Sequence, residues 1–99
     1  MANRPTDVFR RLHPGHARRL VREALAKGSV AFSRHALDEM RADDIIENDV
    51  VNVLRCGQIF DPSDEINGTW RYRVEAENIL VVVAFRSVSE IRVVTAWRK

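Results

Sequence analysis

Seven consecutive residues, Ile79-Leu80-Val81-Val82-Val83-Ala84-Phe85, are apolar and rich in β-branched side chains, and this run constrains the chain more than any other stretch. It is far shorter than the roughly 20 residues a membrane-spanning helix needs. The turn-sized segments Glu75-Ala76-Glu77-Asn78 and Ser87-Val88-Ser89-Glu90 bound it, which marks it as a strand. A strand with no polar alternation belongs at the centre of a sheet, covered on both faces over part of its length. Trp70 to Val74 and Ile91 to Trp97 supply its neighbours, so an antiparallel meander is expected. Before it, Gln58-Ile59-Phe60 and a polar stretch through Pro62 open the β half, and Asn67-Gly68 signals a tight turn.

The first half has a different period. Thr6 or Asp7 is placed to cap a short helical stretch carrying Val8, Phe9 and Leu12, which Pro14-Gly15 interrupts. Pro14 suits the first position of a new helix reaching about Lys27. Ala17, Leu20, Val21, Ala24 and Leu25 form its apolar stripe, Arg18, Arg19 and Arg22 lie off it, and Gly28 stops it. Ser29 to Phe32 reads as extended. Ser33 suits the N-cap of a second helix whose buried stripe is Ala36, Leu37 and Met40. A third helix fits Glu47 to Cys56, with Ile46, Val50, Val53 and Leu54 at helical spacing, acids in its first turn and Gly57 at its end. The predicted class is therefore α+β, with N-terminal helices packed on one face of a C-terminal antiparallel β-sheet.

At 99 residues one domain is the expectation, hiding roughly 60–70% of the unfolded chain's surface without disulfides or metals. Cys56 is the only cysteine, which excludes an intrachain disulfide and any zinc site built from several thiolates, and points to a reducing cytoplasm. With no apolar run of spanning length and no signal-peptide core at the N-terminus, neither a membrane partner nor export is expected. The net charge of +2 conceals a partition: residues 1–34 carry eight Lys/Arg and two acids, 35–68 two and nine, and 69–99 six and three. The blocks amount to +6, −7 and +3. Basic ends favour a polyanionic partner only if the fold keeps the acidic middle away from them.

Phe32-Ser33-Arg34-His35-Ala36, Met40, Asp49-Val50, Leu54 leading to Gly57, Arg71-Tyr72-Arg73, the Val-rich strand and Val94-Thr95-Ala96-Trp97 follow one another in an order that resembles a bacterial family of small domains of unknown function. That family is usually grouped with the RelE/ParE-type toxins and the BrnT-like ribonuclease toxins. The resemblance covers residues 32–98. It implies a basic helical segment over 1–28 preceding a toxin-like α+β core over 29–99. It also implies a small endoribonuclease of the mRNA-interferase type, working without a metal or other cofactor, with RNA as substrate and an antitoxin protein as partner. In the toxin relatives arginines, lysines, histidines or tyrosines cut the RNA. The last strand of RelE-like toxins often supplies site residues, which brings in Thr95, Trp97, Arg98 and Lys99.

Such chemistry needs a base for the 2′-hydroxyl proton, an acid for the leaving 5′-oxygen and cations for the phosphate. His35 is the candidate base: it lies off the buried stripe at a helix start, whose positive end favours a neutral imidazole. The alternative is a structural histidine bonded to a backbone carbonyl or to Glu39 one turn on. Arg71 and Arg73 share a strand face and form a candidate phosphate clamp, or else a solvated edge paired with the middle-block acids. Arg34, Tyr72, Arg98 and Lys99 are candidate substrate-binding residues, although the rings of Tyr72 and Trp97 also fit the core. His13 and His16 lack the further ligands of a metal site, and Asp43-Asp44 and Asp61 with Asp64-Glu65 lack the pattern of a calcium loop. Two rival functions remain: a non-catalytic module of the same fold that uses Arg18, Arg19 and Arg22 to hold nucleic acid or an acidic protein, and a gyrase-directed toxin of the ParE kind.

Overall fold

The structure is a computed structural model that describes residues 6–60 and 64–99. Helix α1 (Pro14–Lys27) leads into strand β1 (Ser29–Phe32), followed by α2 (Arg34–Ala42) and α3 (Glu47–Cys56). Strands β2 (Gln58–Ile59), β3 (Asp64–Ile66), β4 (Thr69–Ala76), β5 (Ile79–Ser87) and β6 (Glu90–Arg98) complete the chain. The sheet runs β1-β6-β5-β4-β2, with β3 also paired to β4. β2 to β6 form the antiparallel part, as the turn signals require, and β1 joins β6 in parallel. No helix among the described residues is long and apolar enough to cross a membrane.

Ala17, Leu20, Val21 and Ala24 of α1, Ala36 and Met40 of α2, and Val50, Val53 and Leu54 of α3 form one core with Tyr72, Val74, Val81, Val83, Ile91, Val93 and Ala96 of the sheet. All three helices thus serve one sheet face. Val82 and Ala84 of β5 point to the other face and lie outside that core, yet both are buried. Their cover is lateral: Val82 sits between Arg73 and Thr95, and Ala84 between Arg71 and Arg92. The apolar central strand therefore has two covered faces with only one layer of helices.

Four local expectations are corrected. Residues 6–13 form turns and extended chain rather than a helix, because the stretch before Pro14 is too short to repay helix nucleation and the residue before a proline avoids the helical region. Asp7 instead accepts the Phe9 N–H through its carboxylate at 3.0 Å, while Val8 and Leu12 are buried. Leu37 is 40% exposed, since among the strands α2 packs chiefly against β6 and buries only Ala36 and Met40. Ile46 is 61% exposed at the start of α3, where its N–H donates to Asp49 at 3.0 Å. Finally, a bulge separates Val93 from Thr95: Val83 pairs with Val93 but Val82 with Thr95, leaving Val94 as the extra residue. Ile91 and Val93 face the core, whereas Thr95 and Trp97 face the opposite side and Ala96 takes the buried place.

Two sites show why the turns close as they do. Asn67 and Gly68 both have positive φ, 53° and 77°, the pairing that a tight hairpin turn demands. At Gly28 a Cβ would lie 1.9 Å from the Ser89 carbonyl oxygen, so only glycine lets the end of α1 pass the β5–β6 turn, where Ser29 N–H donates to that same carbonyl at 3.0 Å.

Candidate functional site

At the end of the sheet where β4 begins and β5 finishes, a cavity of about 750 Å³ opens beside the start of α2. Its charged lining comes from four elements: His35 from α2, Arg71 from β4, Arg86 from β5 and Arg92 from β6. Among the described residues, no Asp or Glu lines it. Of the middle-block acids, Asp64 pairs with Arg73 at 2.6 Å and Asp43 accepts the Arg98 N–H at 2.9 Å.

The centre of the groove is a cross-strand row. Arg71 pairs with Ala84, and Ala84 with Arg92, so the two arginines stand two strand spacings, about 10 Å, apart at the backbone with a methyl group between them. Larger side chains at position 84 would fill the gap. The Nε of Arg71 is buried with no hydrogen-bond partner. A buried donor left unpaired is costly.

Ser33 fixes the histidine's position. Its buried Oγ accepts the Ala36 N–H at 2.9 Å, capping α2, and donates to the Val94 carbonyl at 2.8 Å, tying the helix start to the bulge of β6. Substituting Ser33→Ala removes both bonds; a loss of about 1–2 kcal/mol in denaturant unfolding is expected. His35, two residues on, has a 66% exposed side chain, with Nε2 4.0 Å from Glu39 Oε1. That contact is longer than a hydrogen bond and joins two exposed groups, so it contributes little.

Several candidates read from the sequence lie outside the groove. Arg73 shares the face of Arg71 but is committed to Asp64. Tyr72 points into the core, completely buried, and its hydroxyl accepts the Leu12 N–H at 2.8 Å. Burial raises its pKa above the ordinary value, against the opposing effects of that hydrogen bond and the positive charge of Arg11. Arg98 donates to the Asp43 and Asp44 carbonyls at 3.2 and 3.1 Å, and Lys99 pairs with Glu75; both fasten the end of β6. Arg34 is exposed at the start of α2. On α1, Arg18 and Arg22 donate their Nε–H to the Gly57 and Arg55 carbonyls at 3.1 and 3.0 Å, where guanidinium charge suits the negative end of α3. Arg19 and Arg22 are exposed, and Arg18 is half-buried. His13 accepts the Gly15 N–H through Nδ1 and so caps α1, Cys56 is a free, exposed thiol, and Asp61 lies outside the described residues. Arg86 and Arg92 were not legible as site residues. The signal for Arg92 was strand alternation: it faces away from Ile91 and Val93, toward the same side as Arg71.

Residues 32–98 match the family model of a domain of unknown function, DUF4258. The chain belongs to the DUF4258 family. No curated protein and no solved structure matches it. The DUF4258 match contains the whole charged lining of the groove, His35, Arg71, Arg86 and Arg92, whereas α1 and the segment before it lie outside.

Proposed function

We propose that this DUF4258 protein binds RNA in the groove and cleaves it without a metal, with His35 as the base, as a toxin-like endoribonuclease. The observation that carries the reading is the convergence of one exposed histidine and three arginines from four elements on a groove that no acid lines among the described residues. His35 would take the 2′-hydroxyl proton. The 2′-oxygen then attacks phosphorus, the bond to the 5′-oxygen breaks, and the products are a 2′,3′-cyclic phosphate and a 5′-hydroxyl, the latter protonated from solvent. Arg71 and Arg92, on either side of Ala84, stabilise the charge that builds on the phosphate oxygens. Arg86 extends the positive surface along the strand that follows. An antitoxin in this reading is a protein that covers the same groove.

Incubating purified protein with a synthetic RNA and with ribosome-bound message, chelator present, tests the proposal. Discrete fragments with cyclic-phosphate and 5′-hydroxyl ends are expected. Failure to cut either substrate would sink the catalytic reading.

A further inference from the structure

We infer that the groove takes single-stranded RNA with one nucleobase stacked on Phe9, an inference that rests on the RNA reading above and deepens it. Phe9 lines the same cavity as His35, Arg71 and Arg92, and it is 59% exposed. A lone exposed phenylalanine means little by itself. This one is held in place. Its N–H donates to Asp7, and Arg10 N–H closes the turn onto the Asp7 carbonyl at 3.2 Å. Val8 before it and Leu12 after it are buried, 5% and 6% exposed, and Leu12 N–H is bound by the Tyr72 hydroxyl. The backbone is thus anchored on both sides of a ring that the core does not receive. Ile66, 41% exposed on the β3–β4 hairpin, gives the cavity a second apolar wall.

Arginines beside an ordered aromatic ring match the two chemistries of a nucleotide, phosphate and base face. A base in a duplex is already stacked on its neighbours and cannot reach the ring, which selects single strands. Because the backbone on both sides of Phe9 is anchored, little backbone entropy is lost on contact. Phe9 lies outside the DUF4258 match over residues 32–98.

The test measures binding of a short single-stranded 2′-O-methyl RNA, which cannot be cut because its 2′-oxygen carries no proton. Wild type, Phe9→Ala, Phe9→Trp and Arg71→Gln are compared over a range of salt. Phe9→Ala should bind roughly 5- to 100-fold more weakly with an unchanged salt slope and melting temperature, and Phe9→Trp should restore binding. Arg71→Gln should reduce the salt slope by about 0.7. On an oligonucleotide with abasic sites throughout, wild type and Phe9→Ala should bind alike. If Phe9→Ala binds the intact oligonucleotide like wild type, or remains weaker on the abasic one, stacking is overturned while a persisting Arg71 effect leaves the groove reading in place. If wild type does not bind, or Arg71→Gln changes neither affinity nor slope, the groove reading falls and the stacking inference with it.

Discussion

Replacing His35 with alanine should lower RNA cleavage by about 10²- to 10⁴-fold, the usual contribution of a positioned general base, with little change in stability. The side chain is 66% exposed and its nearest charged contact, Glu39, is 4.0 Å away, so the fold loses almost nothing when it is truncated. Affinity for a 2′-O-methyl RNA should stay within about twofold, because the phosphate is held, in the proposed reading, by Arg71 and Arg92. That combination, a rate lost with binding and melting temperature kept, separates a base from a structural histidine. Full cleavage activity in the variant would remove His35 from the reaction. A variant that both unfolds early and binds poorly would assign His35 to the architecture of α2 instead.

His35 illustrates what the sequence made legible. Its place depended on one helix start, and Ser33 announced that start correctly: a capping residue immediately before an amphipathic stretch has few other readings. The same holds for Pro14 and Gly28 around α1, for Asn67-Gly68, and for β5 as the central strand. What remained hidden required knowledge of pairing. The bulge at Val94 sits in a run of apolar and β-branched residues, where nothing in the composition distinguishes an extra residue from regular alternation, and it reverses Trp97 and Ala96. β1 is four residues long and pairs in parallel with a strand some sixty positions later, a contact no local pattern encodes. The pairing of arginines in the groove was hidden for a related reason. Arg71 and Arg73 are neighbours along one strand, but the residue that shares the groove with Arg71 is Arg92, reached across β5 through Ala84, while Arg73 turns to Asp64. Sequence spacing shows who lies along a strand; register shows who lies across it.

Tyr72 supplies the second large effect, on stability rather than on chemistry. Its ring is fully buried, meets Phe85 edge-on at 5.6 Å between centroids, and carries the hydroxyl that receives Leu12 N–H. Tyr72→Ala should cost about 3–5 kcal/mol for the lost packing and leave the Leu12 donor unpaired, enough to unfold much of a domain with ordinary marginal stability. Tyr72→Phe keeps the ring and loses only the acceptor, about 1–2 kcal/mol, and should cleave RNA at the wild-type rate because the hydroxyl lies in the core, bound to Leu12 N–H, and not in the groove. A fall of a hundredfold or more in the phenylalanine variant would return the tyrosine to the site. The pH dependence carries the same assignment. Burial raises the folded-state pKa of Tyr72 above that of the unfolded chain, so its contribution to stability is complete below about pH 10 and declines as the pH climbs through the raised folded value. In an alkaline titration followed at the phenolate band, the single tyrosine of this chain should ionise together with unfolding. Tyr72→Phe should remove that band and shift alkaline unfolding upward in pH relative to its own neutral stability. A tyrosine that ionised at its ordinary pKa with the fold intact would show the hydroxyl to be open to solvent.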